Sequence, residues 1–353
     1  MGLDRATEPT GIRLRTGSRS GYRAPMTTST AIRLPHGFTT RPLMMDDVPA
    51  VTELLAAWER AEPTDHGYSE ADIREEFTAP VAALDGGGVA VLFGDRLVGY
   101  GLLYVIARQP SWLAYAGGGV HPDVHRHGVG AWLLERQAEQ VRRMRDEQAP
   151  NRPAELRVGV AESRTGAIAA LVTAGFQPRR FFFRMRADLR ERAPAPVGDP
   201  PGILIRRFLA ADDEAVRLAS NAAFADHWGS VPREPEAWRS EYLDSAGFRP
   251  GTSFVAEDPH GIVGFVLGSE YDADTASRGH RTGYVARVGT LRAARGRGVG
   301  SALVARSMAA MRESGCAEAE LDVDADSPTG AGRLYERLGF SVFARERLYS
   351  RGL

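Results

Sequence analysis

At 353 residues the chain is long for one domain and comfortable for two. Its 43% hydrophobic and 25% charged content is that of a soluble globular protein, and a net charge of −1 gives no case for nucleic acid or an anionic membrane as a bulk partner. The single cysteine, Cys316, excludes an intrachain disulfide and a cysteine-based zinc cluster, and fits a reducing cytoplasmic setting with no metal. No apolar run approaches the roughly 18 residues of a membrane span. All 44 basic residues are arginine, a bias expected of GC-rich coding rather than of function.

Residues 1–30 are rich in Arg, Ser, Thr and Gly, lack a core pattern and lack the hydrophobic stretch of a secretory signal. They read as a disordered leader, or as sequence ahead of a true start at Met26. From Thr39 the chain is structured, and it repeats itself. Arg41-Pro42-Leu43 with Asp47 returns as Arg206-Arg207-Phe208 with Asp212, and Leu97-Val98-Gly99 as Ile262-Val263-Gly264. His127-Gly128-Val129-Gly130 returns as Arg297-Gly298-Val299-Gly300, and Ala174-Gly175-Phe176 as Leu338-Gly339-Phe340. Four landmarks in constant order mark a domain duplication, because the period far exceeds that of a solenoid. The predicted halves are 31–192 and 202–353, joined by a Pro-rich linker over 193–201.

Each half reads as strand, helices, strand pair, strand, glycine turn, helix, strand, helix and closing strands. In the second half the predicted strands are 203–208, 253–257, 262–270, 318–323 and 341–349. Helices are expected over 212–223, 234–242, from about Gly300 to Gly315, and over 329–338. Between Tyr284 and Val304 an alternating strand pattern passes through Arg295-Gly296-Arg297-Gly298-Val299-Gly300 into a helical one. The first N–H groups of a helix lack internal partners and carry partial positive charge, and glycines let a bulky anion approach them. The turn is therefore a predicted diphosphate site, to which Arg295 and Arg297 add charge.

Without lysine the chain cannot form a Walker A loop, and Ser301 and Leu303 stand where a dinucleotide fingerprint needs its third glycine. The remaining pattern, Arg295-x-x-Gly298-x-Gly300, resembles the acyl-CoA motif of the GNAT N-acetyltransferases. A second stretch, Leu321 to Gly330 followed by Leu334-Tyr335-Glu336-Arg337-Leu338-Gly339-Phe340, resembles that family's downstream motif. The resemblance implies two tandem GNAT-like α/β domains, each a mixed, mostly antiparallel sheet flanked by helices. It further implies acetyl-CoA as cosubstrate. Val288 and Thr290 would then meet the pantetheine and thioester; Arg295, Gly296, Arg297, Gly298, Val299, Gly300 and Ser301 would hold the diphosphate; and Ser327 would stand where the family has a pantetheine-binding Asn.

The resemblance also gives Tyr335 the place of a general acid, since a phenol can hand the departing thiolate a proton at neutral pH. An amine acceptor needs a proton acceptor as well. In overall layout the chain is most similar to mycothiol synthases, which carry a Glu where Tyr284 stands here. Tyr284 and Glu270 are the candidate bases, with Asp272 and His280 nearby; the acidic run 270–274 would attract a cationic acceptor. His227 and Trp228 lie where such domains bind their acceptors.

In the first half, His125 replaces Arg295 and Leu171 replaces Tyr335, so that half is expected to be silent, with Gly128, Gly130 and Ser163 retaining residual cofactor contacts. The expected function is acetyl transfer to a small-molecule amine, or a peptide, by direct attack in a ternary complex on a monomer or weak dimer. Cys316, beyond the helix-ending Gly315, is not expected to carry the acetyl group. The alternatives are mycothiol synthase proper and a non-enzymatic acyl-CoA sensor.

Overall fold

The computed structural model describes residues 32–106, 111–191, 197–228, 230–326 and 330–353. The predicted leader, Ser327 and the first part of the predicted linker lie outside the described residues. The N-terminal half runs β1 (Phe38–Pro42), α1 (Val48–Ala61), α2 (Glu70–Thr78), the short turn α3 (Leu84–Gly87), β2 (Val89–Phe93), β3 (Arg96–Ile106) and β4 (Trp112–Val120). It continues with α4 (Val129–Gln148), β5 (Ala154–Ala161), α5 (Thr165–Thr173) and β6 (Gln177–Asp188). The C-terminal half repeats this as β7 (Leu204–Arg207), α6 (Asp213–Ala223), α7 (Pro235–Trp238), β8 (Phe254–Asp258) and β9 (Gly261–Glu270). After the added helix α8 (Asp272–Arg278) come β10 (Thr282–Thr290), α9 (Val299–Glu313), β11 (Glu318–Asp324), α10 (Ala331–Arg337) and β12 (Ser341–Gly352).

The first repeated landmark has a physical basis. Arg41 donates two hydrogen bonds to the carboxylate of Asp47, at 2.7 and 2.6 Å, and Asp47 also accepts from the Met44 N–H. Arg206 makes the same fork to Asp212, at 2.7 and 2.9 Å, with the Leu209 N–H as the third donor. Each fork fixes the opening strand to the start of the first helix, a bidentate geometry that only Arg supplies.

All twelve strands form one sheet in the order β1-β2-β3-β4-β5-β12-β6-β11-β10-β9-β8-β7. The halves do not sit side by side as closed units. The last strand of the second half, β12, pairs with β5 of the first, and β6 of the first pairs with β11 of the second. The two exchanged strands pair with each other at the centre, on a pseudo-twofold. Alternation in these strands suits either partner, so the exchange was invisible to sequence patterning. One core cluster consequently joins Met185, Ala187 and Leu189 of the first half to Leu303, Met308 and Leu321 of the second.

In both halves two neighbouring parallel strands part company. β10 and β11 are paired only from Thr282/Glu318 to Tyr284/Glu320, and β4 and β5 only from Trp112/Ala154 to Tyr115/Arg157. Beyond those points the strands diverge, leaving a wedge-shaped gap. The halves differ at its apex. Against β9, the register of β10 shifts between Val285 and Arg287, so Ala286 is an inserted bulge residue; β4 pairs with β3 without a shift. Tyr284 opposes Ser269 as Tyr115 opposes Tyr104, which makes Tyr115 its counterpart.

The expected helix over 234–242 is instead the single turn α7 followed by a π-helical turn, Arg239–Leu243. Helix α8 is not among the expected helices, although Asp272 and Asp274 in its first turn and Gly279, left-handed at φ +74°, are ordinary helix boundary signals. Among the described residues no helix is long and apolar enough to cross a membrane.

The strand exchange yields a direct test. When the chain is cut in the Pro-rich segment and both pieces are co-expressed, they should co-purify in equal amounts and melt together. The piece from 202 onward, expressed alone, loses β6 as partner of both β11 and β12 and should show no cooperative melting transition by circular dichroism. A well-folded solitary piece would show that the exchange is dispensable.

Candidate functional site

The glycine turn has the predicted shape. Gly296 and Gly298 take left-handed φ values of +76° and +86°, and a Cβ on either would meet nothing within 4 Å, so the room above the main chain is open. Gly298 is the N-cap of α9, which presents the free N–H groups of Val299, Gly300 and Ser301. At Gly300 a Cβ would lie 3.5 Å from Thr290 Oγ1 and 3.6 Å from Leu334 Cδ1. The turn, the end of β10 and helix α10 thus converge at one point.

Arg295 does not direct its charge outward. Its Nε donates to the Thr290 carbonyl at 3.2 Å and its Nη2 to the Ala223 carbonyl at 2.7 Å, so it shapes the loop. Arg297 donates to the Pro201 carbonyl at 2.9 Å. In the other half, His125 bonds the Val120 carbonyl at 3.0 Å, the same role as the Arg295–Thr290 contact. Arg126 there adopts φ +63°, matching Gly296, and Gly128 matches Gly298 at +86°. The main-chain cradle is therefore duplicated, and the halves differ in what fills the wedge. A Cβ on Gly119 would lie 2.9 Å from the Trp58 ring of α1; at the corresponding Gly289 it would meet the Phe265 ring of β9 at 2.7 Å and, from the helix, the Ala223 Cβ at 3.2 Å. Arg164, just past β5, lies 3.6 Å above the Trp58 ring and is held by Glu59 at 3.6 Å. Together Trp58 and Arg164 bridge the gap between β4 and β5.

Tyr335 is buried in the core under the open wedge, edge-on to Phe340 at 6.0 Å, and burial pushes its phenol up to about 12. It therefore keeps its proton over the physiological range. Leu171, its counterpart, is buried and has none to give.

A cleft of about 1030 Å³ opens at the wedge apex. Tyr284, Ala286, Leu321 and Asp322 form its wall on the second half, and Tyr68, Glu76, Tyr104 and Arg184 its wall on the first. The cleft is acidic: Asp72, Glu75, Glu76, Glu234, Glu241, Asp274, Glu320 and Asp322 border it, against Arg184 and Arg233, while burial lowers the His66 pKa to about 4 and leaves it neutral. Neighbours hold most of these carboxylates in place. Glu320 takes Arg184 at 3.3 Å, Arg186 at 2.6 Å and Arg278 at 2.6 Å, while Glu241 accepts from Tyr242 at 2.7 Å.

The two candidate bases fare differently. Tyr284 faces the cleft, but its hydroxyl donates to Asp274, and burial together with that carboxylate raises its pKa far above the usual phenol value. It is not a base near neutrality. Glu270 opposes Gly283, one position out of step with Tyr284, so it faces the other side of the sheet. There Arg281 grips it at 2.5 and 2.8 Å, with Arg249 at 3.8 Å, and the Arg281 bonds hold its carboxyl below the usual range. A carboxylate so engaged and turned away does not reach an acceptor in the cleft. His280 lies 3.0 Å from Glu318 and borders a separate hollow beside Asp65 and Arg186, and Asp272 lies in the first turn of α8. Cys316 is buried, and burial raises its thiol pKa, as expected of a residue outside the chemistry.

His227 packs against Phe224 with the rings tilted at 50° and centroids 5.5 Å apart; burial lowers its pKa, with Asp324, Arg180, Arg287 and Arg295 as its charged neighbours. It thus sits at the outer mouth of the wedge. Trp228 lies against Arg157, 4.3 Å away, and Arg180, 5.0 Å away. Sequence reasoning missed Asp322, which stands in the downstream motif as quoted but draws its character from strands remote in sequence.

Gly298→Val forces a β-branched residue into a left-handed conformation at the cradle and should abolish acetyl-CoA binding in calorimetry. Gly128→Val should leave the titration unchanged, with one acetyl-CoA bound per chain, because Trp58 and Arg164 occupy the other wedge. Two equivalents bound by the wild type would contradict that reading.

The Acetyltransferase (GNAT) family model matches residues 49–176 and again 219–340, one copy in each half. The mycothiol acetyltransferase of Parafrankia sp. (strain EAN1pec) is 34% identical over 344 residues, covering 88% of this chain and 97% of that protein. That of Frankia casuarinae is 30% identical over 86% of this chain and 94% of its own length. Among solved structures, a GCN5-related N-acetyltransferase from Sphaerobacter thermophilus aligns with a TM-score of 0.71 at 27% identity, covering 91% of this chain and 97% of that one. A tandem GNAT protein from the clavulanic acid biosynthesis pathway shares the fold, with a TM-score of 0.69 at 18% identity over 89% of this chain and 98% of its own. The duplicated cradle, the two wedges and these likenesses agree: the chain is a tandem acetyltransferase of the GNAT family, using acetyl-CoA as cosubstrate and related along nearly its whole length to mycothiol acetyltransferases.

Proposed function

We propose that the chain carries out the mycothiol acetyltransferase reaction, moving acetyl from acetyl-CoA to the cysteinyl amine of a glucosaminyl precursor in a ternary complex. The observation that carries this reading is the two-sided cleft at the point where β10 and β11 part. A thioester threaded between β10 and β11 from the Gly296–Ser301 cradle ends beside Ala286 and Leu321, where an amine held in the cleft can attack it. The relationship to mycothiol acetyltransferases over nearly their full length supports that acceptor. The acidic lining suits an ammonium group, which it concentrates and orients.

In this reading the C-terminal half does the chemistry. The loop from Gly296 to Ser301 holds the diphosphate through main-chain N–H groups, and the unpaired edge of β10 from Val288 to Thr290 aligns the pantetheine. Tyr335, on the core side of the wedge, hydrogen-bonds the sulfur as the carbon–sulfur bond breaks and passes it a proton. The N-terminal half is silent: its wedge is filled by Trp58 and Arg164, and Leu171 supplies no proton. Its work is to provide the far wall of the cleft, through Tyr68, Glu76, Tyr104 and Arg184.

Purified protein should release CoA faster with the cysteinyl-glucosaminyl precursor than with free amino sugars, polyamines or N-terminal peptides. CoA binding without turnover on any of these amines would favour a sensor. Tyr335→Phe should lower kcat roughly 10- to 1000-fold, at or somewhat below the usual range of general-acid effects, with the acetyl-CoA Kd unchanged. An unaltered kcat would remove Tyr335 from the mechanism.

A further inference from the structure

The reaction needs a proton acceptor, and neither Tyr284 nor Glu270 serves. We infer that Asp322 is the general base: its side chain stands in the cleft immediately past the point where β10 and β11 separate. The inference rests on the acetyl-transfer reading above and adds a catalytic residue to it.

Three features of its position support the assignment. Tyr284 opposite Glu320 is the last pair joining β10 to β11, so Asp322, two residues further on the same strand face, is the first carboxylate beyond the apex. Its neighbours Leu321 and Val323 belong to the core cluster that holds Tyr335. Asp322 and Tyr335 are thereby set on opposite sides of the wedge, one toward the acceptor and one toward the sulfur. Finally, Asp322 is exposed to the cleft and, unlike Glu320 beside it, has no guanidinium within ion-pair distance among the described residues.

The groups that face it are Glu346 on β12, Arg184 on β6 and Glu320 on its own strand. Enclosure by the cleft walls, with Glu346 and Glu320 adding repulsion against the opposing pull of Arg184, lifts its carboxyl to about 6. A carboxylate at that value is ionised at neutral pH yet far more basic than an ordinary aspartate.

The proton balance closes. Asp322 takes one proton from the acceptor ammonium and releases it to solvent. The freed amine attacks the thioester carbon, the nitrogen–carbon bond forms, and the carbon–sulfur bond breaks. Tyr335 gives its proton to the leaving sulfur, and the second proton lost by the nitrogen restores the phenol. One acetamide, one CoA thiol and one net proton result.

The test is the pH dependence of kcat/KM for CoA release in wild type, Asp322→Asn and Asp322→Glu, with the cysteinyl-glucosaminyl precursor and an amine panel. Wild-type activity should rise through about pH 6. Asp322→Asn should lose roughly 100-fold or more at pH 7, in line with general-base effects, and lose the acid limb. Asp322→Glu should recover part of the rate and show a displaced limb. An Asp322→Asn protein that binds acetyl-CoA normally, keeps the limb and loses under about threefold would overturn the assignment, such a loss lying far below general-base effects. Wild-type turnover of another amine but not of the precursor would overturn the acceptor proposed above and leave Asp322 to be judged on the amine that reacts. No turnover on any amine would overturn both.

Discussion

The molecule depends on an exchange of strands. β6 leaves the half that encodes it to lie between β12 and β11, and β12 returns to pair with β5. Withdrawing β12 would strip the ladder from β5, and withdrawing β6 that from β11, whose N–H and C=O groups cost about 1–3 kcal/mol each when buried without a partner. The exchange also brings Arg184 and Arg186 of β6 against Glu320 of β11, where Arg278 joins them. Glu320 is only 2% exposed, a burial tolerated because several guanidinium groups surround it. Arg184 and Glu320 of that cluster line the cleft, so the interaction closing the sheet also shapes the cleft wall.

Duplication supplies two copies of the cradle, and small side-chain and backbone changes distinguish them. The main chain of the turn is conserved so faithfully that Arg126 accepts a left-handed conformation to reproduce it. What diverges is the wedge. Ala286, an extra residue in β10, breaks the register beside the last paired residues and re-aims the strand edge. Across the pseudo-twofold the unbulged β4 is capped by Trp58 and Arg164. An aromatic ring carrying a guanidinium is a compact, well-packed filler, with the cation held over the ring face and neutralised by Glu59.

Much of this was legible in the residues. The Arg41–Asp47 and Arg206–Asp212 forks are local in sequence and appeared as repeated landmarks. The glycine turn announced itself because its chemistry lies in consecutive main-chain groups. The exchange of β6 and β12 did not, since equivalent strands of a duplicated domain present the same alternation to either partner. Helix α8 was hidden by its acidity, which pointed to attraction of a cationic acceptor rather than to a helix start. Asp322 was hidden for a different reason: its basicity comes first from enclosure and then from Glu346, against the opposing pull of Arg184, and these neighbours reach it only through the pairing of β6 with β11 and β12.

The same geometry explains how Tyr284 can stand where mycothiol synthases carry Glu. Its hydroxyl binds Asp274 at the start of α8, and Asp274 also accepts the Gly67 N–H from the opposite half. Placing a carboxylate at 284 would set two negative charges side by side at this junction and near Glu320, a repulsion the arginines there, already engaged, would not relieve. The tyrosine instead acts as a strut between the halves, an arrangement that requires α8, which has no counterpart among the described residues of the first half. With that position given to structure, the proton must be taken from the other edge of the wedge, and β11 offers a carboxylate there whose oxygens are not already engaged by arginine.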